Sequence, residues 1–469
     1  MDNRSSVWRQ VDLARQRFVE LSDRIWGMPE VCYTEVRSVA EHVAQMRTEG
    51  FSITQNVADI PTAVMGEGGP VIAFLGEYDA LPGLSQEAGV AVHRPVEAGG
   101  HGHGCGHNLL GSAALLAATA VKNWLVEHKL PGRVRYYGCP AEEGGAAKAF
   151  MVRAGAFADA DIAITWHSDS FWQVMPPISL ANTRIDFAFT GRAAHAAASP
   201  ELGRSALDAV ELMNIGVNYM REHMPSDARV HYAMLDAGGI APNVVQAYAK
   251  VRYLIRARDL HGLTDLVARV RKIAEGAALM TETSVVGTVL SGVANIVGNT
   301  PLEQALQQVM EDLGPPPFDD GDRAFAREIQ GTLTPQEIAA AWRGVGAEQR
   351  DVPLADFTAP LNAPRFPLVG STDVGDVSWV VPTVQAHAPS MAIGTPLHTW
   401  QMVAQGKAPA AHKAMVQVAK AMAGLGARAL QDPALIAAAK ADLQKRTGGQ
   451  YISPIPAEIG PPLTMSRVG

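Results

Sequence analysis

A chain of 469 residues exceeds one ordinary compact core, so two or three domains are expected, and 47% hydrophobic against 18% charged residues excludes intrinsic disorder. The formal net charge of −8, from 47 acidic and 39 basic residues without a basic patch, argues against nucleic acid as a partner. Three cysteines, Cys32, Cys105 and Cys139, make no disulfide framework. With no apolar leader and no apolar run longer than Leu109 to Val121, the expectation is a cytoplasmic protein with no membrane partner.

Val11, Ala14, Phe18, Leu21 and Ile25 recur at three and four residues, the stripe of a helix ending before Pro29. A second helix over Val36 to Met46 stops at Gly50, and a strand over Phe51 to Val57 follows. Val71 to Leu75 has the continuous apolar pattern of a strand buried on both faces. It opens into Gly76-Glu77-Tyr78-Asp79-Ala80-Leu81-Pro82, where acidic residues at the strand's end suit either a site or a solvated, capping loop.

Residues 101–111, His-Gly-His-Gly-Cys-Gly-His-Asn-Leu-Leu-Gly, hold the densest set of possible metal ligands. Gly104 and Gly106 free the backbone to bring the Cys105 thiol and the His107 imidazole to one point; a glycine-rich turn with exposed histidines is the alternative. Asn108 is expected to cap a helix running to about His128, whose N-terminal dipole would favour a thiolate. The third glycine of a dinucleotide loop is missing in either register. A strand over Arg133 to Gly138, the Glu142-Glu143 pair, a helix near Ala146 to Arg153 and a strand over Ile162 to Trp166 then imply an α/β fold, a mainly parallel sheet with helices on both faces.

The pattern changes after about Ala181. A strand over Thr183 to Thr190, a helix over Gly203 to Glu222, strands around Asn243 to Tyr248 and Lys250 to Ala257, a helix over Leu263 to Met280 and a strand near Thr283 to Val289 make a β-α-β-β-α-β unit. The expected organisation is a catalytic domain over 1–182 and 294–469, interrupted by a ferredoxin-like domain over 183–293. Residues 314–369, rich in Pro, Asp and Ala, read as a surface excursion. Gly370 to Asp376 is a loop that suits a tight turn at least as well as a site, and the chain from Ser453 an extended tail.

Cys105, His107, Glu143, His167 and His398 together suit a two-metal centre, in which a thiolate, imidazoles and a carboxylate bridge and flank two divalent ions. Singly, His167 and His398 read more readily as structural histidines. Glu142 points away from Glu143 in an extended or loop backbone, so it can stay free as a general base that takes a proton from water and returns it to a leaving amine. No Gly-x-Ser-x-Gly elbow, Walker loop or His-Glu-x-x-His offers a rival chemistry.

The segments Glu77-Tyr78-Asp79-Ala80-Leu81-Pro82, Gly104 to Asn108, Pro140-Ala141-Glu142-Glu143-Gly144-Gly145, Gly191-Arg192-Ala193-Ala194-His195-Ala196, Gly238 to Val245 and Leu397-His398-Thr399 resemble, in this order, the M20 metallopeptidases in their amidohydrolase branch. The resemblance implies two divalent ions per protomer, Mn2+ or Zn2+, with Cys105 bridging and His107, Glu143, His167 and His398 completing the sites. It implies Glu142 as the base and His195, often acting from a neighbouring protomer, as the stabiliser of the oxyanion. Asn243 and Arg256 match lid positions that hold a substrate carboxylate or carbonyl.

The implied substrate is an N-acyl amino acid with an aromatic acyl part, p-aminobenzoyl-glutamate first. A dipeptidase or aminoacylase is the alternative within the family, and a metal-binding regulatory subunit the alternative of another class. The implied assembly is a homodimer through the inserted domain, or a pairing with a homologous subunit. Two departures stand out: Asn108 replaces the aspartate of many relatives, and Glu77 occupies a position where many carry aspartate or histidine and is left out of the ligand set.

Overall fold

The computed structural model describes residues 3–68, 71–363 and 370–466. The first part of the chain runs α1 (Asn3–Trp26), α2 (Val36–Thr48), β1 (Ser52–Gln55), β2 (Val64–Gly68), β3 (Ile72–Glu77), α3 (His107–His128), β4 (Val134–Cys139), α4 (Ala147–Arg153), β5 (Ile162–Asp169) and β6 (Gln173–Val174). Next come β7 (Ala181–Thr190), α5 (Ala206–Met220), β8 (Arg229–Asp236), β9 (Tyr248–Ala257), α6 (Leu260–Thr281) and β10 (Ser284–Val293). The last part holds α7 (Thr300–Leu313), α8 (Asp320–Gln330), α9 (Pro335–Val345), α10 (Val374–Val380), β11 (Thr383–Pro389), α11 (Trp400–Gln405), α12 (Pro409–Gln431) and α13 (Pro433–Thr447).

The larger sheet has the order β1-β2-β4-β3-β5-β11-β6. Its central strands β4, β3, β5 and β11 are parallel, and the edge pairings β1–β2, β2–β4 and β11–β6 are antiparallel. Every residue of β3 and β4 is buried, which is why these strands read as apolar runs rather than alternating ones. On one face, α3 packs against the sheet and between α1 and α12. Being covered all round, α3 is apolar all round: Leu109 through Val121 are buried. It has the length and hydropathy to cross a bilayer, but it is the central helix of this core. Phe150 and Met151 of α4 and Val377 of α10 cover the other face. The parallel strands all point their C-terminal ends at one rim, where an open α/β sheet places its site.

The smaller sheet is antiparallel in the order β10-β7-β9-β8, with α5 and α6 packed on one face, the β-α-β-β-α-β arrangement expected. Its second strand in chain order is not where the sequence pointed. Val244 and Val245 carry the β-branched signal, yet they lie in a loop and make only a short pairing with His195 and Ala194. The strand is β8, an edge strand whose side chains are exposed at all but one position, so no burial alternation marks it in sequence. The cap of α3 also differs from expectation. Gly106, with φ +73°, precedes the helix without a side-chain cap, and a Cβ there would lie 2.3 Å from Ser168 Oγ. Asn108 lies inside the helix, and its amide donates to Ser22 Oγ and Gly406 O, both at 3.0 Å, tying α3 to α1 and to the end of α11.

Candidate metal centre

Five stretches at the C-terminal rim supply the site. β3 ends on Glu77, followed by Asp79. The loop before α3 carries Cys105 and leads into His107. The loop after β4 carries Glu142 and Glu143 between two residues of positive φ, Ala141 at +55° and Gly144 at +147°, a backbone shape that turns neighbouring side chains different ways. β5 carries His167 near its end. His398 arrives from far along the chain with φ +60°, its N–H donating to Gly104 O at 2.9 Å, which anchors it against the Cys105 loop.

Donor atoms gather in three overlapping clusters, in each of which they lie within 4.8 Å of one another: Cys105, His107 and His167; Cys105, Glu143 and His398; and Glu77, His107 and Glu142. His398 Nε2 is 3.0 Å from Cys105 Sγ and 3.3 Å from Glu143 Oε2. Glu143 Oε1 is buried without a hydrogen-bond partner among the described residues, and His107 Nε2, likewise buried, makes no hydrogen bond there, its nearest carboxylate oxygen being Glu77 Oε2 at 3.2 Å. An orphaned carboxylate oxygen and an imidazole nitrogen with no hydrogen bond, beside a shared thiol, fit divalent cations, since such groups are costly to bury otherwise. Glu77, left out of the expected ligand set, belongs in this cluster.

The surrounding groups orient these donors. Asp79 Oδ1 and its carbonyl oxygen lie 3.0 and 3.1 Å from His107 Nδ1, which aims Nε2 at the cluster, and Asp79 Oδ2 accepts from Glu143 N at 2.9 Å. The Ser168 carbonyl does the same for His167 Nδ1 at 2.9 Å. Behind Glu77, the fully buried Lys148 places Nζ 2.6 Å from Glu77 Oε1 and 2.6 Å from Asp373 Oδ1. Gly370 to Asp376 is therefore more than a tight turn: Asp373 joins this ion cluster, and Asp376 accepts from Tyr451 Oη at 2.6 Å and Ala294 N at 3.0 Å.

Burial raises the Glu142 carboxyl well above the usual range, and Glu77 and Glu143 add to it. Burial also pushes Glu143 up, but His398 and His107 outweigh it and hold Glu143 low. Burial, Glu143 and Glu142 push the Cys105 thiol up, against the helix-dipole expectation of a thiolate, so a bound cation is what would favour ionised sulfur here. Burial and the nearby His107 bring His167 down to about 4, a neutral imidazole suited to ligation.

Cys105, Glu142, Glu143, His167, Arg256 and His398 line one cleft of about 510 Å³, with His107 buried behind Cys105. His195 and Asn243 do not: both are exposed on adjoining loops of the smaller domain. His195 Nδ1 accepts from Ala197 N at 3.2 Å and Ala198 N at 3.1 Å, so its proton sits on Nε2. Sequence reasoning missed Lys148, Asp373 and Arg184, the last of which lines the same cleft. A lysine within the apolar run Ala147 to Val152 was the available signal, because a buried ammonium requires counter-charges.

A family model described as "Peptidase family M20/M25/M40" matches residues 73–458. One component of the p-aminobenzoyl-glutamate hydrolase of Escherichia coli is 46% identical over 475 residues, 97% of this chain and 98% of that one. Another component of the same hydrolase is 32% identical over 245 residues, 47% of this chain and 52% of that one. Among solved structures, a dinuclear metal binding peptidase of Bacillus subtilis superposes with a TM-score of 0.56 at 16% identity, covering 90% of this chain and 99% of that one, a likeness of fold.

Proposed function

The chain belongs to peptidase family M20/M25/M40, an enzyme acting on the amide bond of N-acyl amino acids, and on that premise we propose that it cleaves p-aminobenzoyl-glutamate to p-aminobenzoate and glutamate. The observation that carries the reading is the pair of donor clusters sharing Cys105, with the Glu142 carboxyl at the same cleft. Cys105, His107, Glu143, His167 and His398 would hold two divalent ions, Mn2+ or Zn2+, with Glu77 against the His107 side. When bound, such ions supply Lewis acidity, polarising the scissile carbonyl and making water a better acid.

The chain's own residues do the rest. Glu142, made basic by burial, accepts a proton from the attacking water as its oxygen bonds to the carbonyl carbon. It then delivers that proton to the nitrogen as the carbon–nitrogen bond breaks. His195, with its proton on Nε2, is built to donate to the developing oxyanion, and its exposure on the lid suits action on the cleft of a second copy. The assembly we propose is a homodimer through the lid or a pairing with a homologous chain, since the relatives include two different components of one hydrolase.

An aromatic acyl group has room to lie beside the metal cleft. A second cavity of about 390 Å³ shares Met175, Ile178, His387 and Leu397 with it and is walled by Phe171, Met391 and α9. Within the excursion over 314–369, whose residues 364–369 lie outside the described ones, α9 thus acquires a role as the acyl-side wall. The test is release of p-aminobenzoate from p-aminobenzoyl-glutamate by the purified chain with manganese or zinc. Turnover of dipeptides or N-acetyl amino acids with no aromatic acyl-glutamate cleaved would overturn the substrate assignment.

A further inference from the structure

The lid floor of the cleft carries cations that the chain itself does not neutralise. On one face of the paired strands β7 and β9, Asn182 and Arg184 stand beside Leu254 and Arg256, and all four line the cleft. Two residues further along the same face, Arg252 meets Asp186 at 2.7 and 3.1 Å, and Lys250 reaches the same carboxylate at 2.9 Å. Outside the cleft, then, these two strands neutralise Arg252 and Lys250 with one carboxylate. Inside it, Arg184 donates once, to Gly144 O at 3.3 Å, and Arg256 once, to Ser371 Oγ at 2.9 Å, and neither meets a carboxylate among the described residues. A guanidinium offers five N–H donors, so most of each fork remains free.

The catalytic loop makes room for one of them. A Cβ on Gly144, next to Glu143, would lie 3.1 Å from Arg184 Nη2 and 3.2 Å from Nη1. The glycine lets that guanidinium stand against the loop that carries the base and a metal ligand. Diagonal neighbours on adjacent antiparallel strands, as Arg184 and Arg256 are, lie about 7–8 Å apart at Cα, a spacing that two flexible stems can match to the ends of a short dicarboxylate.

We propose that Arg184 and Arg256 form a two-guanidinium subsite for an acidic amino acid in the leaving half of the substrate, with Arg184 binding its side-chain carboxylate. The inference rests on the N-acyl amino acid reading above and adds to it a residue that sets selectivity. A weak peg to the Gly144 carbonyl uses one donor; a dicarboxylate uses the forks that are left.

The experiment compares kcat/KM for the p-aminobenzoyl conjugates of glutamate, glutamine and alanine in the metal-loaded wild type, Arg184→Gln and Arg184→Lys. The wild type should prefer glutamate by about 10- to 150-fold, the worth of a hydrogen bond to a charged group. Arg184→Gln should lose that factor on glutamate beyond whatever it loses on alanine, and Arg184→Lys should recover part of it. Equal losses on all three conjugates would make Arg184 a peg for Gly144 and overturn the proposal, as would a wild type indifferent to the side chain while cleaving all three. A chain that cleaves none of them while cleaving other amides removes the substrate assignment. In that event calorimetry decides separately: glutarate binding that butyrate lacks and Arg184→Gln abolishes upholds the subsite, and its absence sinks it.

Discussion

On the sheet side of the cleft the charges are answered within the chain, Lys148 between Glu77 and Asp373 and His107 against Asp79, all of them buried. On the lid side Arg184 and Arg256 face the cavity with spare donors, and His195 and Asn243 stand exposed away from it. The difference separates two tasks. On the function proposed above, groups that would hold cations in fixed geometry are preorganised by counter-charges, whereas groups that would meet a substrate or another copy keep donors open until it arrives.

The largest effect should come at the junction of the two walls. Glu142→Gln should lower kcat on the order of 10²–10⁴-fold while metal content, read by plasma mass spectrometry, stays at the wild-type level. Normal turnover would remove Glu142 from the base role. Lys148→Ala should expose how far the sheet side depends on pairing. It leaves Glu77 and Asp373 without the ammonium that stands between them, and denaturant unfolding should report a loss of about 3–5 kcal/mol. A loss below about 1 kcal/mol would mean that water or a rearranged carboxylate replaces the ammonium.

His195→Ala probes the lid. Being exposed, it should leave the unfolding midpoint near wild type while kcat falls on the order of 10²–10³-fold. Mixing it with Glu142→Gln should restore part of the activity, because one hybrid cleft then has both groups. No complementation would confine each site to one chain.

The smallest effect concerns His42, which is fully buried and stacks on Tyr136 with ring centroids 5.8 Å apart. Burial, helped by Arg24, brings it from 6.5 down to about 3. Between those values the unfolded chain binds a proton that the native one refuses. Stability from this residue is therefore whole above pH 6.5 and falls as pH drops toward 3, by up to about 1.4 kcal/mol per pH unit. Urea unfolding from pH 7 to pH 4 should show a shallower decline in His42→Phe than in wild type; identical declines would assign the acid sensitivity to other groups.

How much of this was legible in sequence follows from the range of each interaction. Cys105 and His107 announce themselves two residues apart, and the acidic pair needs no third partner to be noticed. The buried runs of β3 and β4 identified a parallel sheet because each strand carries its own burial signature. Glu77 was different. Its place beside the ligands is created by Lys148 and by Asp373, 225 residues beyond that lysine, and no local pattern joins three such positions. The lid strand was misplaced for a related reason: β8 is an exposed edge whose residues bear no buried alternation, while Val244 and Val245 bear the propensity without the pairing. Asn108 has the chemistry of a cap, and only the fold reveals that Gly106 already makes the turn and that the amide is needed 86 residues back, at Ser22.

The 293 residues between Cys105 and His398 also have a meaning in time. A ribosome adding about 5–20 residues per second needs roughly 15 to 60 s to travel that distance. During this interval the emerging polypeptide already carries its sulfur but not the imidazole that will stand 3.0 Å from it, nor β11, the strand that lies beside β5 in the finished sheet. Ion capture by the proposed ligand set would thus wait until His398 has been made, and a product truncated before β11 would have the lid and the thiol but no closed centre.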